Sequence, residues 1–140
     1  MKYILKGGTV VGSSVSCEAD LLIDGEKIAA VGKDLLCEGA QVVDVTGKLL
    51  FPGFIDAHTH FDLDVCNTTT ADDFASGTRS ALRGGTTMVI DFACPNKGET
   101  LGYGLALWHE KADGRSSCDY AFHMTIDDWN EGIRAEIPAM

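Results

Sequence analysis

The sequence has no apolar run approaching the roughly 18 residues a membrane span requires, and Met1-Lys2-Tyr3-Ile4-Leu5-Lys6 is too short and too soon interrupted for a signal peptide. Basic residues are scarce: 11 Lys and Arg stand against 21 Asp and Glu, a formal net charge of -10, with a pI near 4.6. A polyanion would meet an anionic surface with no compensating basic stripe, which excludes nucleic acid as the expected partner. There is no C-x-x-C pair. Cys17, Cys37, Cys66, Cys94 and Cys118 lie at least 20 residues apart and are odd in number, as befits free thiols in a reducing compartment. Low-complexity segments and internal repeats are absent too, apart from an alternation of strands and helices. What is present, 45% hydrophobic and 23% charged residues, is the composition of a soluble globular protein. The expectation is a cytoplasmic chain that acts on a small molecule and engages neither membrane nor nucleic acid.

The first fifty residues read as short strands at 3–5, 9–11, 20–23, 27–31 and 41–45, punctuated by glycine. Asp24-Gly25 between two apolar runs is a tight-hairpin signal, because glycine tolerates the positive φ such turns demand. After Pro52 the rhythm changes to strand, helix, strand, helix, strand, which implies parallel strands with crossover helices. The expected division is a small β-unit over 1–50 and strand/helix units over 51–140. Thr70 reads as the N-cap of the first helix, with Asp72 and Asp73 in its first turn and Gly84-Gly85 closing it. Phe74, Thr78, Ala81 and Leu82 mark its apolar side. Residues 86–92 form the next strand by β-branched content. Leu101, Leu105 and Trp108 mark a second helix to about residue 112, residues 119–125 a third strand, and 129–136 the start of a third helix.

The chemistry concentrates in Gly53-Phe54-Ile55-Asp56-Ala57-His58-Thr59-His60. On a strand successive side chains alternate, so Asp56, His58 and His60 would share a face and the two imidazoles would converge. Neutral imidazole nitrogens suit zinc and similar divalent ions, and two on one strand make half of a typical site. The pair also sits at the C-terminal end of its strand, where a (β/α) barrel delivers catalytic groups. His-x-His alone is a common chance pattern.

The surrounding stretches make the reading specific. Residues 51–62, then Thr70-Ala71-Asp72-Asp73-Phe74 with Gly77-Thr78-Arg79, then Gly84-Gly85-Thr86-Thr87 through Asp91-Phe92, and Asp119-Tyr120-Ala121-Phe122-His123-Met124 together resemble the N-terminal part of dihydropyrimidinases and D-hydantoinases, the cyclic-amide branch of the amidohydrolases. The resemblance covers essentially the whole chain. It implies an α/β fold, with strands of a small β-sandwich over 1–50 and the first three strand/helix units of a metal-dependent (β/α) barrel over 51–140. It also implies that His58 and His60 bind one of two zinc ions, in an enzyme whose other ligands are a carboxylated lysine, two further histidines and an aspartate. None of those four positions occurs here. The implied activity is opening of a dihydropyrimidine or 5-substituted hydantoin to an N-carbamoyl amino acid, in a homotetramer. A complete barrel needs roughly 250 residues, and the 90 from Phe51 to Met140 hold about three of eight strands. The chain is therefore expected to be an unstable, inactive fragment with no catalytic residue of its own. The rival readings are a non-catalytic dihydropyrimidinase-like scaffold and another amidohydrolase such as an allantoinase.

Other polar residues read more plainly. Asp56 suits a supporting role beside the ligands, and Asp62 and Asp91 local hydrogen bonding. Asp62 stands where the resembling dihydroorotases place an arginine for the substrate carboxylate, so a neutral ring is favoured. The loop 63–67 would, by the same resemblance, help line the substrate pocket. His109 belongs to a solvated helix face, His123 to a satisfied structural position, and Cys66 has no identifiable base to make it a nucleophile.

Overall fold

The computed structural model describes residues 1–140, which form two compact units, Met1–Pro52 and Gly53–Met140. No helix is long and apolar enough to cross a membrane.

In the first unit β1 (Lys2–Val11), β2 (Ser16–Asp24), β3 (Lys27–Gly32), β4 (Gln41–Asp44) and β5 (Leu49–Leu50) form one sheet, in the order β3-β2-β1-β4 with β5 also on β1. β1 pairs antiparallel with β2 and parallel with β4 and β5. The two short strands expected over 3–5 and 9–11 are thus one continuous strand. Its register on β2 slips between Leu5 and Gly8, where Gly7 takes φ +78°. The bulge frees the Gly7 amide, which donates to Asp20 Oδ1 at 2.9 Å, while Leu35 N donates to Oδ2 at 3.1 Å. Asp20 is only 5% exposed, and a buried carboxylate is tolerable because these amides satisfy it. The β2–β3 hairpin turns on Gly25-Glu26, with Asp24 paired to Lys27 and Gly25 at φ +62°. That places the tight turn one residue later than Asp24-Gly25, because glycine itself must occupy the left-handed position.

The second unit is mixed α/β. It comprises β6 (Phe54–Thr59), β7 (Asp64–Val65), β8 (Thr68–Thr69), α1 (Phe74–Arg83), β9 (Thr86–Ala93), α2 (Leu101–Ala112), β10 (Asp119–Met124), α3 (Glu131–Glu136) and a 3₁₀ turn, Ile137–Ala139. β10, β9 and β6 form a parallel sheet in that order, and β7 and β8 a small hairpin. β9 alternates strictly over its second half: Val89, Asp91 and Ala93 are buried, Ile90 and Phe92 half-buried. A core of Phe74, Ala93, Trp108 and Ala112 joins α1 and α2 to this sheet.

Two expectations for α1 change. Its N-cap is Asp73, not Thr70: Asp73 Oδ1 accepts from Ser76 N at 2.7 Å, and Ser76 Oγ accepts the Asp73 amide to complete a capping box. Thr70 instead closes the segment around the β7–β8 hairpin, its Oγ1 accepting from Leu63 N and its amide donating to Leu63 O. The apolar side is also shorter than expected. Phe74, Gly77 and Thr78 are buried, but Leu82 is 40% exposed.

Candidate metal centre

His58 and His60 stand at the C-terminal end of β6 with their Nε2 atoms 3.2 Å apart. Two nitrogens each bound at roughly 2.0 Å to one tetrahedral zinc lie about 3.3 Å apart, so the pair has the spacing of two ligands of a single ion. The rings meet edge to face, at 5.0 Å between centroids, and both rest on Phe92 of β9, at 4.5 and 5.1 Å. His123 of β10 packs on the same phenyl ring at 4.8 Å, and its Nε2 lies 3.1 Å from the Ala57 carbonyl. That contact gives His123 a partner and ties β10 to the strand carrying the pair.

The strand is not the regularly alternating one anticipated. Between Asp56 and Thr59 the register of β6 on β9 slips by one residue. Asp56 Oδ1 accepts the His58 amide at 3.2 Å. No group of three His, Cys, Asp or Glu side chains is arranged to hold a metal.

The segment after the pair is anchored by β9 and α2. Asp91 Oδ2 accepts from Thr59 Oγ1 and Phe61 N, both at 2.9 Å, and Asp91 Oδ1 accepts from Trp108 Nε1 at 2.9 Å. Lys111 Nζ donates to the Asp62 carbonyl at 2.5 Å, lies 3.6 Å from the Asp62 carboxylate and stands 4.5 Å over the Trp108 ring. Asp62, at φ +49°, also donates its amide to Asp72 O.

A model of the amidohydrolase family matches residues 49–106. Over 138 residues the chain is 46% identical to a D-hydantoinase of Geobacillus stearothermophilus, covering 99% of this chain and 29% of that protein. It is 38% identical to the dihydropyrimidinase of Rattus norvegicus, with 99% of this chain and 28% of the relative covered. The crystal structure of dihydropyrimidinase from Brevibacillus agri superposes with a TM-score of 0.95 at 47% identity, over 98% of this chain and 30% of that one. The chain belongs to the dihydropyrimidinase and hydantoinase family. It spans less than a third of the length of these relatives, and its mixed α/β fold matches the N-terminal part of the family's structures.

Within this dihydropyrimidinase-family chain the remaining polar residues separate from the pair. His109 is exposed, with Nδ1 3.1 Å from Asp113 Oδ1. Cys66 is exposed, at φ +52° beside Asn67 at φ +61°, in the turn of the β7–β8 hairpin. The loop 63–67 is thus half of a hairpin rather than an open loop. The sequence reading missed the linkage of Asp91, Trp108 and Thr59. Its signal was an aspartate inside the apolar run Met88-Val89-Ile90-Asp91-Phe92, which burial obliges to find donors, and a tryptophan on the apolar stripe of the next helix.

Proposed function

We propose that His58 and His60 hold zinc in a hydrolase that opens a cyclic amide, a dihydropyrimidine or 5-substituted hydantoin, to an N-carbamoyl amino acid. In this reading β6, β9 and β10 with their helices are the first strand/helix units of a (β/α) barrel. Residues 1–50 contribute strands to a small β-sandwich, and the complete enzyme is a cytoplasmic homotetramer with two zinc ions and a carboxylated lysine. The observation that carries the reading is the 3.2 Å approach of the two Nε2 atoms at a strand's C-terminal end, where barrel enzymes collect their catalytic groups. The names of the relatives support the substrate class.

This chain's residues would bind and orient. His58 and His60 would present ring nitrogens to the ion, and Phe92 supplies an apolar floor beneath both rings. The chemistry a bound zinc supplies is Lewis acidity, toward water and toward the amide carbonyl. The Asp62 carboxylate, held by Lys111 two residues beyond the pair, disfavours a substrate that itself bears a carboxylate. Two imidazoles leave at least half of a tetrahedral shell to other donors, so the 140 residues alone bind zinc weakly and do not turn over.

The test is zinc content together with hydrolysis of dihydrouracil, hydantoin and allantoin, on this chain and on a version extended through its downstream reading frame. The extended protein is expected to hold about two zinc ions and to open the first two rings, with both properties lost in His58→Ala and His60→Ala. Preference for allantoin would move the substrate to a ureide. An extended protein that neither binds zinc nor hydrolyses any of the three would overturn the proposal in favour of a non-catalytic scaffold.

A further inference from the structure

The carboxylate of Asp91 bonds to the residues on both sides of His60 and to the indole of α2. Its Oδ2 takes the hydroxyl of Thr59 and the amide of Phe61, each at 2.9 Å, and its Oδ1 takes Trp108 Nε1 at 2.9 Å. Asp91 is fully buried. A buried carboxylate is costly unless its lone pairs are occupied, and hydrogen bonds to a charged acceptor are about twice as strong as neutral ones. The three donors must therefore stay where they are or leave an uncompensated charge.

The place of this clamp matters because the sheet does not hold the segment regularly. The β6–β9 register slips between Asp56 and Thr59, β6 ends at Thr59, and the backbone at Asp62 turns into the left-handed region. A regular ladder would have fixed the direction of each side chain through alternation. Here one buried side chain from the neighbouring strand does so, and Trp108 fixes that side chain in turn.

We propose that Asp91 is a positioning residue. It sets the conformation of residues 59–61 and thereby holds the His58 and His60 rings convergent, Trp108 locking its carboxylate. The consequence for metal binding rests on the function proposed above; the conformational part does not. Asn at this position keeps the shape but has a single acceptor oxygen. Thr59 Oγ can rotate to accept from the new amide, whereas Phe61 N–H and Trp108 Nε1–H can only donate, so one of them loses its partner.

The experiment uses the ¹⁵N-labelled 140-residue chain, as wild type and as Asp91→Asn, Thr59→Val and Thr59→Ser. Thr78→Val is the control: this buried threonine accepts from Ser117 N away from the pair, and its loss lowers stability only. Two quantities are read, exchange of the Phe61 amide and Trp108 indole protons in the metal-free chain and the Zn²⁺ concentration that shifts the His58 and His60 ring nitrogens. Asp91→Asn is expected to speed exchange at whichever of Phe61 N–H and Trp108 Nε1–H loses its acceptor, Thr59→Val to speed it at Phe61, and both to raise the Zn²⁺ midpoint about tenfold or more, the usual cost of losing a partner that orients a ligand. Thr59→Ser restores the hydroxyl and the wild-type values, and Thr78→Val leaves both in place after correction for global stability. If Zn²⁺ shifts neither ring in the wild type, two imidazoles alone do not hold the ion, and the metal reading is decided by the zinc content of the extended protein. Proton exchange then decides the positioning role by itself. Unchanged exchange at both Phe61 and Trp108 Nε1 in Asp91→Asn together with unchanged Phe61 exchange in Thr59→Val, or an equal effect of Thr78→Val, overturns the proposal.

Discussion

Phe61, immediately after the histidine pair, is held at its ring as well as at its amide. The ring meets Phe74 edge to face, with centroids 5.5 Å apart, and lies over Gly77 of α1 so closely that a Cβ there would fall 2.2 Å from Cε1. In an exposed helix, Ala in place of Gly is favourable by about 1 kcal/mol. At Gly77 the sign reverses, because the added methyl overlaps a ring wedged between α1 and the loop. Gly77→Ala is expected to cost roughly 1–3 kcal/mol, the range for overpacking a filled site. Gly102 of α2 is the opposite case, since a Cβ there meets only Glu136 Oε2 at an ordinary 3.8 Å. Gly102→Ala should leave stability the same or slightly higher. Urea unfolding of the two variants checks both signs, and a neutral Gly77→Ala would mean the ring yields at no cost.

At the scale of elements, the helix ends show which parts of a sequence decide locally. α2 begins at Thr100, whose Oγ1 accepts the Tyr103 amide at 3.0 Å, and removing such a cap costs typically about 1 kcal/mol. Thr100→Ala is expected to lower stability by that amount. Thr70→Ala should leave the helicity of α1 intact in far-UV circular dichroism, because Thr70 is bonded to Leu63 and not to the helix. The strands and helices themselves were legible, since period, glycine turns and β-branched runs act within a few residues. So was the His58/His60 pair, whose spacing and strand are consecutive in the chain. The start of α1 was not: Thr70 and Asp73 are both good caps, and only the contact of Thr70 with a residue seven positions back separates them. The joining of residues 3–5 and 9–11 into β1 escaped for the same reason, since the bulge at Gly7 relies on Asp20 across the hairpin. The role of Asp91 is hidden in the sequence because its donors come from 30 and 17 residues away. The slip in pairing of β6 with β9 between Asp56 and Thr59 is likewise invisible to alternation along one strand.

For the molecule as a whole, a formal net charge of -10 makes acid the informative perturbation. Lowering the pH from neutrality first relieves repulsion among carboxylates, which favours the compact state. Specific hydrogen bonds oppose this at lower pH. The Gly7 amide holds the Asp20 carboxyl below the ordinary 3.8, helped by Leu35 and Lys6 and resisted by burial. The Thr46 hydroxyl and amide do the same for Asp44, the Ser76 amide and hydroxyl for Asp73, and the Tyr120 hydroxyl with His109 for Asp113. The bond to Asp113 correspondingly pushes the Tyr120 phenol up. A carboxyl depressed in the folded state contributes stability that is complete above its unfolded value and is lost as the pH falls through the folded one. All four shifts share that sign, and two lie in each unit. The urea midpoint should therefore hold or rise slightly from pH 7 to about 5, then fall steadily below about 4. Asp20→Asn, which keeps one acceptor but removes the titrating group, should flatten the acid limb in the first unit. A midpoint that kept rising below about pH 4 would show that general repulsion, and not these four bonded carboxylates, governs the acid response.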